Sequence, residues 1–146
     1  GGPQGLPLLK PPYRRITAIN LNTGEHEWQI PLGKGPTDHP AIAHLNLGDL
    51  GSVFTDVVAE GGVLITKSLV ISYLAAKDEL GPEDTGSILV AFDKTSGVKA
   101  GEVYVEQRLH GPVMSYEHDS VQYIAVAGGG RADDAELLVF KLSSSQ

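Results

Sequence analysis

Four groups of residues in this chain have types and spacings that could do chemistry. His39 and His44 could share a metal ion, and Asp78, Glu79, Glu83 and Asp84 could gather oxygen ligands around calcium. Ser115, His118 and Ser120 could build a hydrolytic nucleophile. Gly128, Gly129 and Gly130, followed by Arg131, could bring backbone N–H groups close to an anion. Each group also has a plainer reading. The two histidines are five apart across Pro40, which fits neither a helix face nor a strand face, so they read as loop hydrogen-bonding groups. The acidic residues lack EF-hand spacing and sit in a polar stretch, 75–86, that reads as a solvated tip. No G-x-S-x-G elbow surrounds a serine, which argues against acyl transfer. The glycine run lacks the further spaced glycine and the following helix of a dinucleotide loop, and reads as a turn. Trp28 could stack on a planar cofactor, but its large apolar surface also suits packing between sheets.

Composition narrows the classes. The 146 residues carry a net charge of −7, with 41% apolar and 20% charged residues, as in an ordinary globular chain. Arg14 and Arg15 are the only adjacent basic pair, and the other cations are scattered. The acidic balance therefore disfavours a nucleic acid or an anionic membrane as partner. There are no cysteines, which excludes disulfides, thiolate metal sites and cysteine nucleophiles. No run approaches the ~18 apolar residues of a membrane span, and no signal-peptide pattern opens the chain. The opening Gly-Gly-Pro without Met suggests a processed or excised piece.

The elements that must position these residues are strands. The stretch 16–33 alternates at Ile16 and Ala18, turns at Asn22-Thr23-Gly24, and alternates again at His26, Trp28 and Ile30. That is a β-hairpin, with Gly24 where the turn needs positive φ. The hairpin recurs at 88–105, where Ala91, Asp93 and Gly97 stand in the places of Ala18, Asn20 and Gly24. Residues 1–15 are too rich in proline and glycine for a regular helix and read as an extended lead-in. The long connection 34–52 allows at most one helical turn, at 41–45, and is either functional or a packed cover. Further strands are expected at 63–66, 69–74, 113–116, 122–127 and 137–142, with a break at Gly111-Pro112 and a frayed tail. No segment keeps a 3.6-residue period, so the chain is all-β. A repeated hairpin in such a chain favours propeller blades, each a four-stranded antiparallel sheet. The expected division is 1–33 the end of one blade, 34–60 a connecting loop, 61–110 a full blade, 111–142 most of another, and 143–146 a tail. Such a piece cannot close into a propeller, and its open blade edges invite self-association.

The hairpins resemble the tryptophan-docking motif A-x-D-x-x-T-G-x-x-x-W of the pyrroloquinoline quinone (PQQ) dehydrogenases. Ala18, Asn20, Thr23, Gly24 and Trp28 match it, with Asn for the usual Asp; the second copy has Gly101 at the Trp position. GLPLLKPPYRRITAINLNTGEHEWQIPLG and GPVMSYEHDSVQYIAVAGGG resemble the late part of the membrane-bound, glucose-dehydrogenase-like quinoproteins. The resemblance implies an eight-bladed β-propeller of which this chain supplies C-terminal blades. It implies a periplasmic enzyme that oxidises alcohols or aldose sugars by hydride transfer to PQQ, with Ca2+ polarising the quinone and an Asp as base.

Those catalytic and calcium-binding groups belong to earlier blades, so no catalytic or metal residue is assigned here and the piece alone is expected to be inactive. Its expected partners are the remaining blades of the parent chain and a small alcohol or sugar. Gly128, Gly129 and Gly130 are the candidates for lining the cofactor funnel. Sugar-oxidising members carry a His after Ala-Gly-Gly where this chain has Gly130, which argues against glucose. Asp84 stands near a position that shapes the pocket in some members, and Lys10 and Arg15 could reach a PQQ carboxylate. The alternative is a non-catalytic scaffold of the same repeats, of the outer-membrane assembly type; it ranks second because such scaffolds lack the 34–52 loop and the GPVMSY…AVAGGG ending.

Overall fold

The computed structural model describes residues 2–53, 62–81, 83–129 and 135–141. Among the described residues, nine strands form three antiparallel sheets, and the helical pieces are three-residue 3-10 turns. The chain divides into two compact units, Gly1–Thr55 with Asp78–Pro82, and Asp56–Lys77 with Glu83–Gln146.

The first unit is built on the hairpin of β1 (Arg15–Ile19) and β2 (His26–Pro31). Its turn is held by one side chain. Asn20 Oδ1 accepts the N–H groups of Asn22 at 2.9 Å and Thr23 at 3.3 Å, while the Asn20 carbonyl accepts Gly24 N–H at 2.7 Å. Gly24 sits at φ 76°, where a side chain would strain the backbone. Trp28 stands opposite Ala18 in the register and is half-buried. The 34–52 connection is a packed cover. Leu50, Gly51 and Ser52 return alongside Lys34, Gly33 and Leu32, donating N–H bonds of 2.9 Å to each in turn, and Leu32 and Leu50 are buried. Gly51, at φ 77°, lies so close to the Arg14 backbone that no Cβ would fit. The single helical turn expected at 41–45 is a 3-10 turn at Ala43–Leu45.

The second unit holds a four-stranded sheet, β3 (Leu64–Ile65), β4 (Leu69–Ala75), β5 (Ser87–Asp93) and β6 (Lys99–Val105), in that spatial order. It also holds a three-stranded sheet, β7 (Leu109–His118), β8 (Val121–Gly128) and β9 (Glu136–Lys141). The β5–β6 hairpin repeats β1–β2 bond for bond. Asp93 Oδ1 accepts Thr95 N–H at 3.0 Å and Ser96 N–H at 2.8 Å, and the Asp93 carbonyl accepts Gly97 N–H at 2.8 Å, with Gly97 at φ 72°. The register also slips at equivalent places, between Ala18 and Ile19 and between Ala91 and Phe92. These bulges add local twist at the same point of both hairpins. Gly101 then stands opposite Ala91 as Trp28 stands opposite Ala18, and a Cβ built on Gly101 meets no atom within 4 Å.

The core of this unit forms where the two sheets face each other. Ile71, Tyr73, Leu89 and Val105 from the four-stranded sheet pack with Leu109, Val113, Ile124 and Val126 from the three-stranded one. Alternation along each strand puts these residues on one face. The expected break at Gly111-Pro112 is not a break. β7 runs through it for ten residues, and the irregularity appears as a register shift between His110 and Met114. Pro112 has no N–H for the ladder and Gly111 is at φ 72°, so the strand bulges there and continues. Two side chains of the opposing sheet bond the backbone of β7, one within the bulge and one just before it. Tyr73, 1% exposed, donates its hydroxyl to the Gly111 carbonyl at 2.9 Å, and Ser87 Oγ accepts the buried Leu109 N–H at 2.9 Å.

Two predictions follow from these bonds. Removing either partner strands a buried backbone group, so Tyr73→Phe and Ser87→Ala should each destabilise by about 1–3 kcal/mol in urea unfolding. Ser68→Ala, outside these contacts, serves as the reference. The second concerns acid. Hydrogen bonds from the Ser96 N–H and hydroxyl, then from Thr95, hold the Asp93 carboxyl below its ordinary 3.8. The stabilisation of that turn is complete above the unfolded carboxylate's range and is lost as pH falls through the lowered folded value. Amide shifts of Ser96 and Gly97 should therefore titrate below pH ~4, those of Thr23 and Gly24 in the Asn20 turn should not, and Asp93→Asn should abolish the difference.

Candidate functional site

The repeat assigns equivalent positions. β1 and β5 are the same strand of the repeated hairpin, and β9 follows β8 as β5 follows β4, third in its sheet. The segments leading into β1, β5 and β9 are therefore the same connection of three sheets. Each carries candidates named from the sequence: Lys10 and Arg15, then Asp84, then Gly128 to Gly130.

In the first, residues 7–15 curl into an open concavity of about 670 Å³, lined by Pro7, Leu9, Lys10, Tyr13, Arg14 and Arg15 among others. Its backbone is fixed at two points: Tyr13 N–H donates to the Leu50 carbonyl at 2.8 Å, and the Arg14 carbonyl accepts Leu32 N–H at 2.9 Å. Lys10 and Arg15 are exposed at this concavity. In the second, Asp84 closes a turn. Its Oδ1 accepts Gly86 N–H and the Tyr104 hydroxyl, each at 3.0 Å, and the bond to Asp84 raises the Tyr104 pKa above the ordinary phenol value.

In the third, Gly128 is a buried strand residue paired with Leu109 and Glu136, and a Cβ there would meet Leu138 Cδ1 at 2.8 Å. It is a packing glycine. Gly129 begins the turn at φ 111°, donating its N–H to the Arg108 carbonyl at 3.0 Å. The His110 Nε2–H donates to the Gly129 carbonyl at 2.8 Å, so a ring on β7 tethers the turn. Gly130 and Arg131 lie outside the described residues, as does the tail 143–146.

The remaining candidates are not brought together. His39 accepts Ala41 N–H at Nδ1 and donates from Nε2 to the Gln4 carbonyl at 3.0 Å, a loop role that leaves His44 apart. Glu79 Oε1 accepts Lys34 N–H at 2.6 Å. Ser115 Oγ accepts from the Gln122 amide, while His118 contacts Asp119 on the surface. Sequence reasoning missed Tyr104 and His110. Both act through cross-strand neighbours, and only the register reveals them.

Among the described residues, no group of three histidines or carboxylates is placed to hold a metal ion, so the donor set for calcium does not fit here. Tyr116 and Tyr123 stack on each other at 5.1 Å, and Trp28 belongs to the hairpin.

Residues 1–124 match the family model described as "Glucose/ethanol/alcohol dehydrogenase, beta-propeller domain". The chain is similar to the quinate/shikimate dehydrogenase (quinone) of Acinetobacter baylyi, 27% identical over 86% of this chain and 14% of that protein. It is similar to quinoprotein glucose dehydrogenase A of Acinetobacter calcoaceticus, at 28% identity over 88% of this chain and 14% of the relative. The large subunit of glycerol dehydrogenase from Gluconobacter oxydans is 29% identical over 86% of this chain and 16% of its own length. The chain thus spans about a seventh of these relatives. No solved structure matches. With its repeated hairpins and its facing four- and three-stranded sheets, the chain belongs to the PQQ-dependent glucose/ethanol/alcohol dehydrogenase β-propeller family.

Proposed function

We propose that this chain is the C-terminal part of a periplasmic PQQ-dependent dehydrogenase that oxidises a hydroxyl-bearing carbon of a polyhydroxylated small molecule. The observation that carries this reading is the family match over residues 1–124 of an all-β fold with the family's repeated hairpin. The named relatives act on quinate, shikimate, glucose and glycerol, which share several hydroxyl groups, and this supports a polyol as substrate. PQQ, with Ca2+ as Lewis acid, would supply the hydride acceptor when bound in the whole protein; the chemistry would be the cofactor's, and the protein would orient it. This chain's residues shape and brace the surroundings: His110 holds the glycine turn, Asp84 and Tyr104 hold the turn before β5, and the sheets pack as blades. The catalytic base and the calcium ligands lie in other blades, and the chain alone is inactive.

Those other blades are also its partners. The face of β7–β9 turned away from the core exposes Met114, Tyr116, Leu137 and Val139, an apolar surface that a neighbouring blade would cover. Without that cover, this face and the open strand edges drive self-association.

Two outcomes test the proposal. Supplied with PQQ, calcium, a dye acceptor and a range of alcohols, the 146-residue chain should reduce no dye. A full-length protein containing it should do so, and should lose activity when PQQ is removed; a full-length protein inert toward every alcohol would contradict the reading. In light scattering the isolated chain should exceed its monomer mass of 15.4 kDa, and Val139→Lys with Met114→Lys should lower it. A sharp monomer for the unsubstituted chain would count against association.

A further inference from the structure

The charge of this chain is segregated in a way its total conceals. Residues 1–24 contain Lys10, Arg14 and Arg15 and no acid, so the −7 of the whole is +3 on that segment and −10 on the rest. The fold then gathers the three cations around a single concavity of about 670 Å³. Its other walls are Pro7, Leu8, Leu9, Pro12, Tyr13 and Val53, an apolar and aromatic lining with cations at the edge. Such a lining suits a small molecule that presents ring carbons to the walls and one anionic group to the rim.

The concavity is also in the right connection. It leads into β1 as the Asp84 turn leads into β5 and the glycine turn into β9, so by the repeat it occupies the equivalent connection of its sheet. Among the described residues, neither Lys10 nor Arg15 is paired with an acidic side chain.

We infer that the concavity between Pro7 and Arg15 recognises a carboxylate through Lys10 and Arg15, and that the substrate is a polyhydroxy carboxylic acid. This deepens the proposed polyol-oxidising reading and rests on it. Arg15 offers a planar fork suited to a carboxylate, and Lys10 a mobile point charge beside it. Tyr13 and the prolines present flat apolar surface to the carbon ring of the acid. A neutral polyol such as glycerol leaves both cations unpaired and gains nothing from them.

The test is direct binding to the 146-residue chain, followed by NMR shifts of residues 7–15 and by calorimetry. Quinate and shikimate should bind saturably at these residues, glycerol and glucose should not, and raised salt should weaken the acids. Lys10→Gln and Arg15→Gln, both at exposed positions, should each weaken quinate roughly tenfold or more, the loss expected of one charge-assisted bond. Unchanged spectra away from residues 7–15 would show that the variants remain folded. Equal binding of sulfate and quinate would reduce the site to a generic anion contact and overturn the substrate assignment. Tight PQQ binding here that quinate cannot displace would give the cations to the cofactor and overturn it likewise. Failure of quinate to bind would sink this inference alone, because the dehydrogenase reading stands on the dye-reduction assay of the full-length protein.

Discussion

Everything in the larger unit depends on how the bulged part of β7 is kept from leaving polar backbone buried and unpaired. Gly111 and Pro112 interrupt the ladder in the part of β7 that packs against the neighbouring sheet. A stranded Gly111 carbonyl in the bulge, or a stranded Leu109 N–H just before it, would each cost more than an ordinary hydrogen bond contributes, because the lost partner cannot be replaced by water. Tyr73 and Ser87, from β4 and β5, supply the missing donor and acceptor. The contact between sheets is therefore directional as well as apolar. Leu109, fully buried, fixes how deeply the sheets meet, and the two hydrogen bonds fix their register.

A second constraint is local and repeated. One side-chain oxygen, on Asn20 or Asp93, organises the turn; one glycine at positive φ ends it; and one bulge twists the returning strand. The Asx-type bonding explains why Asn and Asp interchange without changing the geometry. Their chemistry still differs, since only Asp93 can be neutralised by acid. The residue after the bulge is free to vary. Trp28 stands opposite Ala18 and Gly101 opposite Ala91 in otherwise matching hairpins, so the hairpin's shape is set by its turn and bulge and not by the indole.

Much of this was legible in the residues. Alternation and turn chemistry placed the hairpins, and the paired Ala-x-Asn and Ala-x-Asp patterns exposed the repeat. The reading failed where the deciding interaction was distant. Gly111-Pro112 looks like a break because local rules do not see Tyr73, far away in sequence, waiting to accept the strand. Gly128 looks like part of a flexible glycine run, yet it is a buried strand residue where a Cβ would meet Leu138 Cδ1 at 2.8 Å and push that side chain aside. The scattered cations looked unable to form a patch because net charge averages over the chain, whereas a short proline-rich segment with no acids concentrates three of them. Tyr104 and His110 carried no sequence signal at all; their roles exist only through the cross-strand register.

In the larger unit two sheets pack face to face, and the connections leading into β1, β5 and β9 hold a basic concavity, a clamped Asp–Tyr turn and a tethered glycine turn. The face-to-face packing is the claim on which the rest stands, and amide hydrogen exchange at Leu109 tests it most directly. The N–H of Leu109 is buried and bonded to Ser87 across the sheets, so it should exchange only with global unfolding, at the rate of Ile71 and Val126. Rapid exchange at Leu109 while Ile71 and Val126 stay protected would show that the two sheets do not pack as described.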